Sequence, residues 1–223
     1  MSRPSPSVAA RVAEVRARIA GAAARAGRDP GQVTLVAATK TVEPARVQEV
    51  VDAGVPDLGE NRAQELLTKT AVTGPPPVGV RWHFLGRLQR NKVRALAPWI
   101  ACWQSVDRPE LGAEIARRAP GARVLVEVNL GAEPQKGGCL PARVPGLVDD
   151  LRAAGLDVAG LMAVPPHADD PRRWFAALRD QAAALALSEL SMGMTDDFEV
   201  AVEEGATIVR VGRALFGPRP GHP

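Results

Sequence analysis

The sequence predicts a single (β/α)8 TIM barrel of the α/β class, preceded by one extra N-terminal helix. Eight short apolar runs alternate with segments of helical periodicity, and neither a long linker nor a shift in composition divides the 223 residues. The alternative is an open doubly wound sheet, which favours a glycine-rich turn after its first strand. The corresponding turn here is Lys40-Thr41-Val42-Glu43. We therefore expect one barrel domain over residues 1–223, with 1–7 and 218–223 flexible.

Helical periodicity begins close to the N-terminus. Val8, Val12, Val15, Ile19 and Ala22 recur at helical spacing and predict an amphipathic first helix. The apolar, β-branched runs that follow predict eight strands. In chain order they are Val33–Thr39, Val55–Leu58, Arg81–Leu85, Cys102–Val106, Arg123–Leu130, Val158–Val164, Glu189–Met192 and Thr207–Val211.

Boundary signals separate the strands from the helices between them. Pro44 marks the first turn of one helix, and Asp107 followed by Glu110 predicts a capping box at the start of another. Three glycines fall just past predicted helix ends, where a left-handed residue is favoured. They are Gly54, Gly155 and Gly205.

The composition disfavours several classes of protein. The formal net charge is only +3 and the arginines are spread along the chain, which disfavours a nucleic-acid patch and suits an anionic small ligand. Cys102 and Cys139 form no CxxC pair, and two reduced thiols are typical of a cytosolic protein. No apolar stretch approaches the ~20 residues of a membrane span. We expect a cytoplasmic protein, monomeric or weakly dimeric, that binds neither nucleic acid nor a membrane.

The run VTLVAATK, residues 33–40, ends on a lysine. An unbroken apolar, β-branched run is typical of a strand buried on both faces of a parallel sheet. Lys40 therefore lies at the carboxyl end of a strand, where barrels place their chemistry. A lysine amine that is partly shielded from water can lose its proton and attack a carbonyl. An ordinary surface lysine remains the alternative for this residue taken alone.

Two loops near the C-terminus have the composition of a phosphate site. Barrels often hold phosphate in the loops after strands seven and eight, which here are Ser191-Met192-Gly193-Met194 and Gly212-Arg213. Small residues let backbone N–H groups approach phosphate oxygens, and the serine hydroxyl adds a donor. Thr195 or Asp196 is expected to cap the helix that follows. The acidic residues there are interpreted as helix-start charges rather than metal ligands, because no histidine accompanies them.

Arg210 alternates with Val209 and Val211 along the last predicted strand. If the valines face the helices, Arg210 points into the barrel mouth, where a buried guanidinium needs an acceptor such as a heteroaromatic nitrogen or a phosphate. The lysine can react with an aldehyde, the two loops can hold a phosphate, and the arginine can donate to a ring nitrogen. One ligand has all three groups, pyridoxal 5′-phosphate (PLP). Each feature alone is a weak signal, and the three together favour PLP.

Six segments carry a resemblance to a known family. They are VAATKTVEP, LGENRAQE, WHFLGRLQRNK, QSVD, GLMAVP and LSMGMTDDFEVAVEEGATIVRVGRALFG. From about Val33 to Gly217 the chain resembles the pyridoxal phosphate homeostasis proteins. The resemblance implies a single-domain barrel like the N-terminal domain of alanine racemase, with PLP held as a Schiff base on Lys40. It also implies that Arg210 faces the pyridine nitrogen and that five residues surround the phosphate, namely Ser191, Met192, Gly193, Gly212 and Arg213.

The resemblance further implies a role without robust catalysis. Such proteins store, protect or deliver PLP, so the apo forms of PLP enzymes are the expected protein partners. Two segments depart from the family pattern: Arg62 follows the GEN motif where many relatives carry tyrosine, and residues 133–138 are a variant of the usual Ser-Lys-x-Gly segment. The second departure leaves the role of Lys136 open. Asn61 of the GEN motif either hydrogen-bonds near the cofactor or stabilises the turn after strand two.

A PLP-dependent racemase needs a second acid/base on the opposite face of its substrate. Alanine racemases use a tyrosine, and this chain has none. His83, expected at a strand end near the mouth, His167 and Lys136 are candidate substitutes. An arginine at the ring nitrogen also weakens the electron sink relative to a carboxylate. We therefore expect a carrier with no catalytic residues; an amino-acid racemase is the alternative, and a Schiff-base aldolase using Lys40 is the third hypothesis.

Overall fold

Eight parallel strands close into a barrel in the computed structural model, which describes residues 6–74, 77–166 and 170–217. The strands are β1 (Thr34–Ala38), β2 (Asp57–Glu60), β3 (Arg81–Phe84), β4 (Ile100–Val106), β5 (Arg123–Val128), β6 (Asp157–Ala163), β7 (Glu189–Ser191) and β8 (Ile208–Val211). Each strand pairs with the next, and β1 pairs with β8 to close the cylinder, with Val36 opposite Arg210. The predicted fold class is confirmed.

Helices surround the barrel. Those in the described ranges are α1 (Val8–Arg25), α2 (Pro44–Asp52), α3 (Ala63–Thr73), α4 (Val93–Leu96), α5 (Pro109–Arg118), α6 (Val144–Ala153), α7 (Pro171–Ala184), α8 (Phe198–Glu203) and α9 (Arg213–Phe216). Short 3-10 turns at Pro30–Gln32, Arg90–Lys92 and Pro141–Arg143 precede β1, α4 and α6. None of the helices described is long and apolar enough to cross a bilayer.

The extra N-terminal helix is confirmed as α1. Its predicted apolar face is buried and packs against α8 and α9. The Arg18 guanidinium lies 4.5 Å from the centre of the Phe198 ring and pairs with Glu199 at 2.6 Å. Ser7 accepts a hydrogen bond from the Ala10 backbone N–H at 3.2 Å and so forms the N-cap of α1. The other residues of the two predicted flexible segments, except Pro6, lie outside the described ranges.

Two apolar layers form the core. The larger one lies between the strands and the helices and includes Val209 and Val211. A smaller cluster fills the inside of the barrel and is formed by Val36, Cys102, Leu125, Ala159, Met162 and Ile208. Because side chains alternate along a strand, Arg210 shares the inner face with Ile208. The predicted inward direction of Arg210 is therefore confirmed.

Several predicted boundaries need correction. Strand β2 begins at Asp57 rather than at Val55, and it extends to Glu60. Both end residues are charged, and each is buried beside a cation, Arg81 for Asp57 and Lys69 for Glu60, that the apolar pattern of the sequence does not reveal. The capping box at Asp107 is wrong: Arg108 is the N-cap of α5 without a side-chain cap, and the Asp107 carboxylate pairs with the Arg108 guanidinium. The predicted glycine positions after α2, α6 and α8 are confirmed, each with a positive φ.

The predicted cap at Thr195 or Asp196 is also wrong. Helix α8 begins at Phe198 with Asp197 as its N-cap. The Asp197 carboxylate does not cap the helix; it accepts a hydrogen bond at 2.6 Å from the backbone N–H of Met194 in the loop after β7. Burial raises the pKa of Asp197 above its ordinary value.

Candidate functional site

Lys40 lies two residues beyond the end of β1, at the carboxyl end of that strand. The Thr39 backbone N–H donates to the Gly59 carbonyl at 2.8 Å, so the strand pairing continues to the residue before Lys40. Val36 and Ala38 precede Lys40 on the inner face by alternation. Lys40 lines a cavity of about 180 Å³ together with Ala38, Gly212 and Arg213. Barrel closure thus brings residues from opposite ends of the chain to one cavity.

A buried ion pair supports the turn that carries Lys40. Lys69 Nζ lies 2.5 Å from Glu60 Oε2 and 2.6 Å from the Thr39 carbonyl oxygen. The Thr39 hydroxyl donates to the same carboxylate at 3.1 Å. Because α3 supplies the lysine and β2 the glutamate, this cluster fixes the carboxyl ends of β1 and β2 to the helix layer. Sequence reasoning missed it; the signal was a glutamate in GEN and a lysine nine residues later.

Asn61 follows β2 at the same end of the barrel. Its backbone N–H donates to Glu60 Oε1 at 2.8 Å, and its side chain borders a cavity of about 720 Å³ that Arg87 and Lys92 also line. Gly86 packs against it so closely that an added Cβ would lie 2.0 Å from the Asn61 carbonyl oxygen. The backbone of Asn61 therefore has a structural role, and both interpretations of its side chain stay open.

The loops after β7 and β8 present unpaired backbone donors. Within the described part of the chain, the N–H groups of Gly193, Gly212 and Arg213 donate to no protein acceptor. Gly193 has φ +90°, and an added Cβ would lie 2.5 Å from the Ala201 Cβ, so only glycine fits. At Gly212 an added Cβ would lie 3.1 Å from the Ala38 carbonyl oxygen. Such a cradle of free N–H groups suits a phosphate.

The side chains of these two loops point to other partners. Met192 is buried in the layer between strands and helices, and the Arg213 guanidinium pairs with Asp196 at the surface. The Ser191 hydroxyl is fully buried; it donates to Gln104 Oε1 and accepts from Arg210 Nη1, each at 2.6 Å. Arg213 therefore offers its backbone N–H to an anion, whereas the Met192 N–H already donates to the Ile208 carbonyl at 3.1 Å.

Arg210 is a buried cation inside the barrel, 5% exposed. Besides Ser191, it donates to the Ala163 carbonyl at 2.9 Å. No carboxylate among residues 6–74, 77–166 and 170–217 lies within 4.0 Å of it, and burial lowers its pKa to about 10. At that pKa the guanidinium stays protonated at neutral pH, so it remains a pure donor and fits an acceptor such as an unprotonated ring nitrogen.

His83 does not reach the mouth, which corrects the expectation from its place in WHFLG. Its Nε2 lies 3.0 Å from Asp57 Oδ1 and its Nδ1 lies 2.8 Å from Gln104 Nε2. Both ring nitrogens are thus occupied inside the barrel, and His83 cannot serve there as the second acid/base. His167, the other candidate histidine, lies outside the described residues.

Glu127 is a titratable group at the mouth that sequence reasoning missed. It follows Leu125 on the inner face of β5, where the run VLVEV places one charge among apolar residues. Burial, with the nearby Asp107 charge, raises its pKa to about 7. Its Oε2 has no hydrogen-bond partner among the residues described. Lys136, by contrast, is held by Glu133 at 2.5 Å and by the Pro165 carbonyl at 3.1 Å.

Comparison with known proteins agrees with this geometry. The family model described as alanine racemase, N-terminal domain, matches residues 11–220. Curated relatives from Aquifex aeolicus and Escherichia coli K12 are 42% and 35% identical, over 94% and 95% of this chain and 97% of each relative, and both are named pyridoxal phosphate homeostasis protein.

Solved structures give the same result. PipY of Synechococcus elongatus with PLP bound is 33% identical, with a TM-score of 0.83 over 94% of this chain and 100% of that one. Alanine racemase from Corynebacterium glutamicum is 17% identical with a TM-score of 0.67, over 94% of this chain and 62% of that one, which shows a likeness of fold alone. The chain belongs to the pyridoxal phosphate homeostasis protein family.

Proposed function

We propose that this chain binds PLP covalently through Lys40, as a Schiff base, and acts as a reservoir of the cofactor in the cytoplasm. The observation that carries the proposal is the convergence at neighbouring strands β8 and β1: free N–H groups of Gly212 and Arg213 share one cavity with Lys40. The cofactor bound to PipY and the names of the curated relatives support the same ligand.

Each part of the site has a role toward that ligand. The Lys40 amine supplies the nucleophile for the aldehyde. The N–H groups of Gly193, Gly212 and Arg213 hold the phosphate without breaking a hydrogen bond to the protein, and Ser191 and Met192 lie directly before Gly193 in the chain. Arg210 donates to the ring nitrogen, and Asn61 borders the mouth. PLP, when bound, supplies an electrophilic carbon and a conjugated ring.

A direct test uses borohydride reduction followed by peptide mass mapping. We expect wild-type protein incubated with PLP to gain the reduced label on the peptide containing Lys40. Lys40→Ala should lose that label, whereas Lys92→Ala, which removes an exposed lysine from the same end of the barrel, should retain it. A wild type that takes up no PLP, or a label spread evenly over the four lysines, would refute the proposal.

A carrier role is favoured over turnover for two reasons. His83 is bonded inside the barrel and is not available as the second acid/base, and Arg210 keeps the ring nitrogen unprotonated, which weakens the electron sink. We expect PLP-loaded protein to activate an apo-PLP enzyme, and borohydride-fixed protein to fail. Equal activation by both samples would show that free PLP, rather than the protein, is the donor.

One observation favours a second candidate, a PLP-dependent amino-acid racemase. Glu127, with a pKa of about 7, can take up or release a proton at the mouth at neutral pH. Exchange of deuterium into Cα of alanine above the free-PLP background, abolished by Glu127→Gln, would support this activity. No exchange above that background would exclude it.

A further inference from the structure

A continuous chain of hydrogen bonds crosses the barrel interior from Arg210 to Asp57. Arg210 Nη1 contacts Ser191 Oγ, and Ser191 Oγ contacts Gln104 Oε1, each at 2.6 Å. Gln104 Nε2 lies 2.8 Å from His83 Nδ1, and His83 Nε2 lies 3.0 Å from Asp57 Oδ1. The members belong to β8, β7, β4, β3 and β2, and every one is buried.

One arrangement of hydrogens, in which every bond runs from Arg210 towards Asp57, satisfies this whole chain. Arg210 can only donate. Burial opposes ionisation of Asp57, but hydrogen bonds from His83 and Arg81 outweigh it and keep the pKa of that carboxyl below its usual range, so Asp57 only accepts. Between these ends Ser191, Gln104 and His83 each supply one hydrogen for the next link. All four links are then satisfied, with the proton of His83 on Nε2 and one orientation of the Gln104 amide.

This direction matters for Arg210 because two hydrogen bonds anchor its guanidinium. One acceptor, the Ala163 carbonyl, is fixed by β6. The other is a hydroxyl that rotates unless its own hydrogen has an acceptor. Gln104 Oε1 provides that acceptor, and its orientation is set in turn by His83.

We propose that Gln104 and His83 are positioning residues for the cofactor site, which hold Arg210 in the orientation that meets the ring nitrogen of PLP. The proposal rests on the proposed function for the identity of the ligand, but the hydrogen-bond chain belongs to the protein alone. It assigns a purpose to two residues that touch neither Lys40 nor the phosphate cradle.

The test compares three variants of adjacent residues on β4. Gln104→Met keeps the length of the side chain and removes both hydrogen bonds; we expect PLP affinity to fall about tenfold and the absorbance maximum of bound PLP to shift. Gln104→Glu still accepts from Ser191 and should bind PLP within about threefold of wild type. Ser105→Ala removes the hydrogen bond from the next residue to the Gly86 carbonyl (2.6 Å), which is not part of the chain from Arg210 to Asp57, and should leave affinity and absorbance unchanged.

An affinity in Gln104→Met equal to that of wild type, or an equal loss in Ser105→Ala, would overturn the proposal. Melting temperatures of the unliganded variants separate loss of fold from loss of positioning. Nitrogen-15 NMR of the histidine rings, assigned with His83→Gln, tests the chain without PLP. We expect an unprotonated Nδ1 in wild type and a protonated Nδ1 in Gln104→Glu. A protonated Nδ1 in the wild type would refute the chain, whereas failure to take up PLP would refute only the proposed function.

Discussion

The buried ion pair beneath Lys40 gives the sharpest test of the structure. In Lys69→Met the side chain keeps its length but loses its charge. Lys69 and Glu60 are 7% and 0% exposed, and their nearest charged atoms are 2.5 Å apart. The substitution leaves the Glu60 carboxylate buried, and the donors that remain to it among the described residues are the Thr39 hydroxyl and the Asn61 N–H. Those two neutral donors cannot replace a cation.

Removing one partner of a buried ion pair costs roughly 3–5 kcal/mol, because the remaining charge is uncompensated. The two donors left on Glu60 favour the lower end, so we expect the free energy of unfolding to fall by about 3 kcal/mol. For a chain of this length that corresponds to a loss of roughly 6–12 °C in melting temperature. Urea unfolding followed by tryptophan fluorescence measures the change, and an unaltered m-value would show that the native state stays compact.

Two further variants decide whether the buried charge is the cause. Lys136→Met removes the same charge from a pair whose side chains are 27% and 26% exposed, and it should cost less than about 1 kcal/mol. Adding Glu60→Gln to Lys69→Met neutralises the stranded carboxylate and should recover at least half of the loss. A loss below about 1 kcal/mol in Lys69→Met, or a double variant no more stable than the single one, would contradict the reasoning.

Three other predictions follow from burial and close packing. Glu127, with its pKa raised to about 7, keeps its proton to a higher pH in the folded state than in the unfolded state, so the free energy of unfolding should fall by on the order of 2 kcal/mol between pH 5 and 7. Urea unfolding at several pH values measures this dependence. Glu127→Gln should flatten it, whereas Glu49→Gln, at an exposed position, should not. Burial raises the pKa of the Cys102 thiol to about 12, so a thiol reagent at pH 8 should label it only in urea; rapid labelling of native protein would contradict this. Gly86→Ala, which forces a Cβ against Asn61, should cost about 2 kcal/mol in the same unfolding assay, and a neutral result would show that the loop yields.

The fold could be predicted because its main determinant is local. Runs such as VTLVAA and RVLVEV need no information about distant residues to be identified as buried strands. Eight of them with helices between permit few topologies. β2 shows the limit of this reasoning. Its ends, Asp57 and Glu60, are charged, and their burial is possible only because Arg81, His83 and Lys69 approach from other elements. The pattern of apolar residues within one strand does not predict which charged side chains of other elements will pair with its ends.

The same distinction divides the site. Lys40, Gly212 and Arg210 could be expected at one place because barrel closure makes the first and last strands neighbours, whatever the side chains are. Gln104 could not be found in this way. Its two partners, His83 of β3 and Ser191 of β7, belong to different strands. Gln104 contacts both of them only because the three side chains lie at the same height along the barrel axis. That height follows from the registers between neighbouring strands. The β3–β4 and β4–β5 pairs each contain a register shift, which the sequence pattern does not predict.

The carboxyl ends of the strands hold buried groups without a partner of opposite charge beside paired ones such as Lys69 and Glu60. At the amino ends of the strands, cations and carboxylates are paired: Arg81 with Asp57 at 2.6 Å, and Arg123 with both Asp157 and Glu189. At the carboxyl ends, the cation Arg210 and the Glu127 carboxyl have no partner of opposite charge within 4.0 Å in the described ranges, and three backbone N–H groups lack acceptors. Buried polar groups without partners cost stability. The groups without partners at the carboxyl ends are therefore suited to a polar ligand, and the hydrogen-bond chain through Gln104 connects Arg210 among them to the paired Asp57 at the amino end.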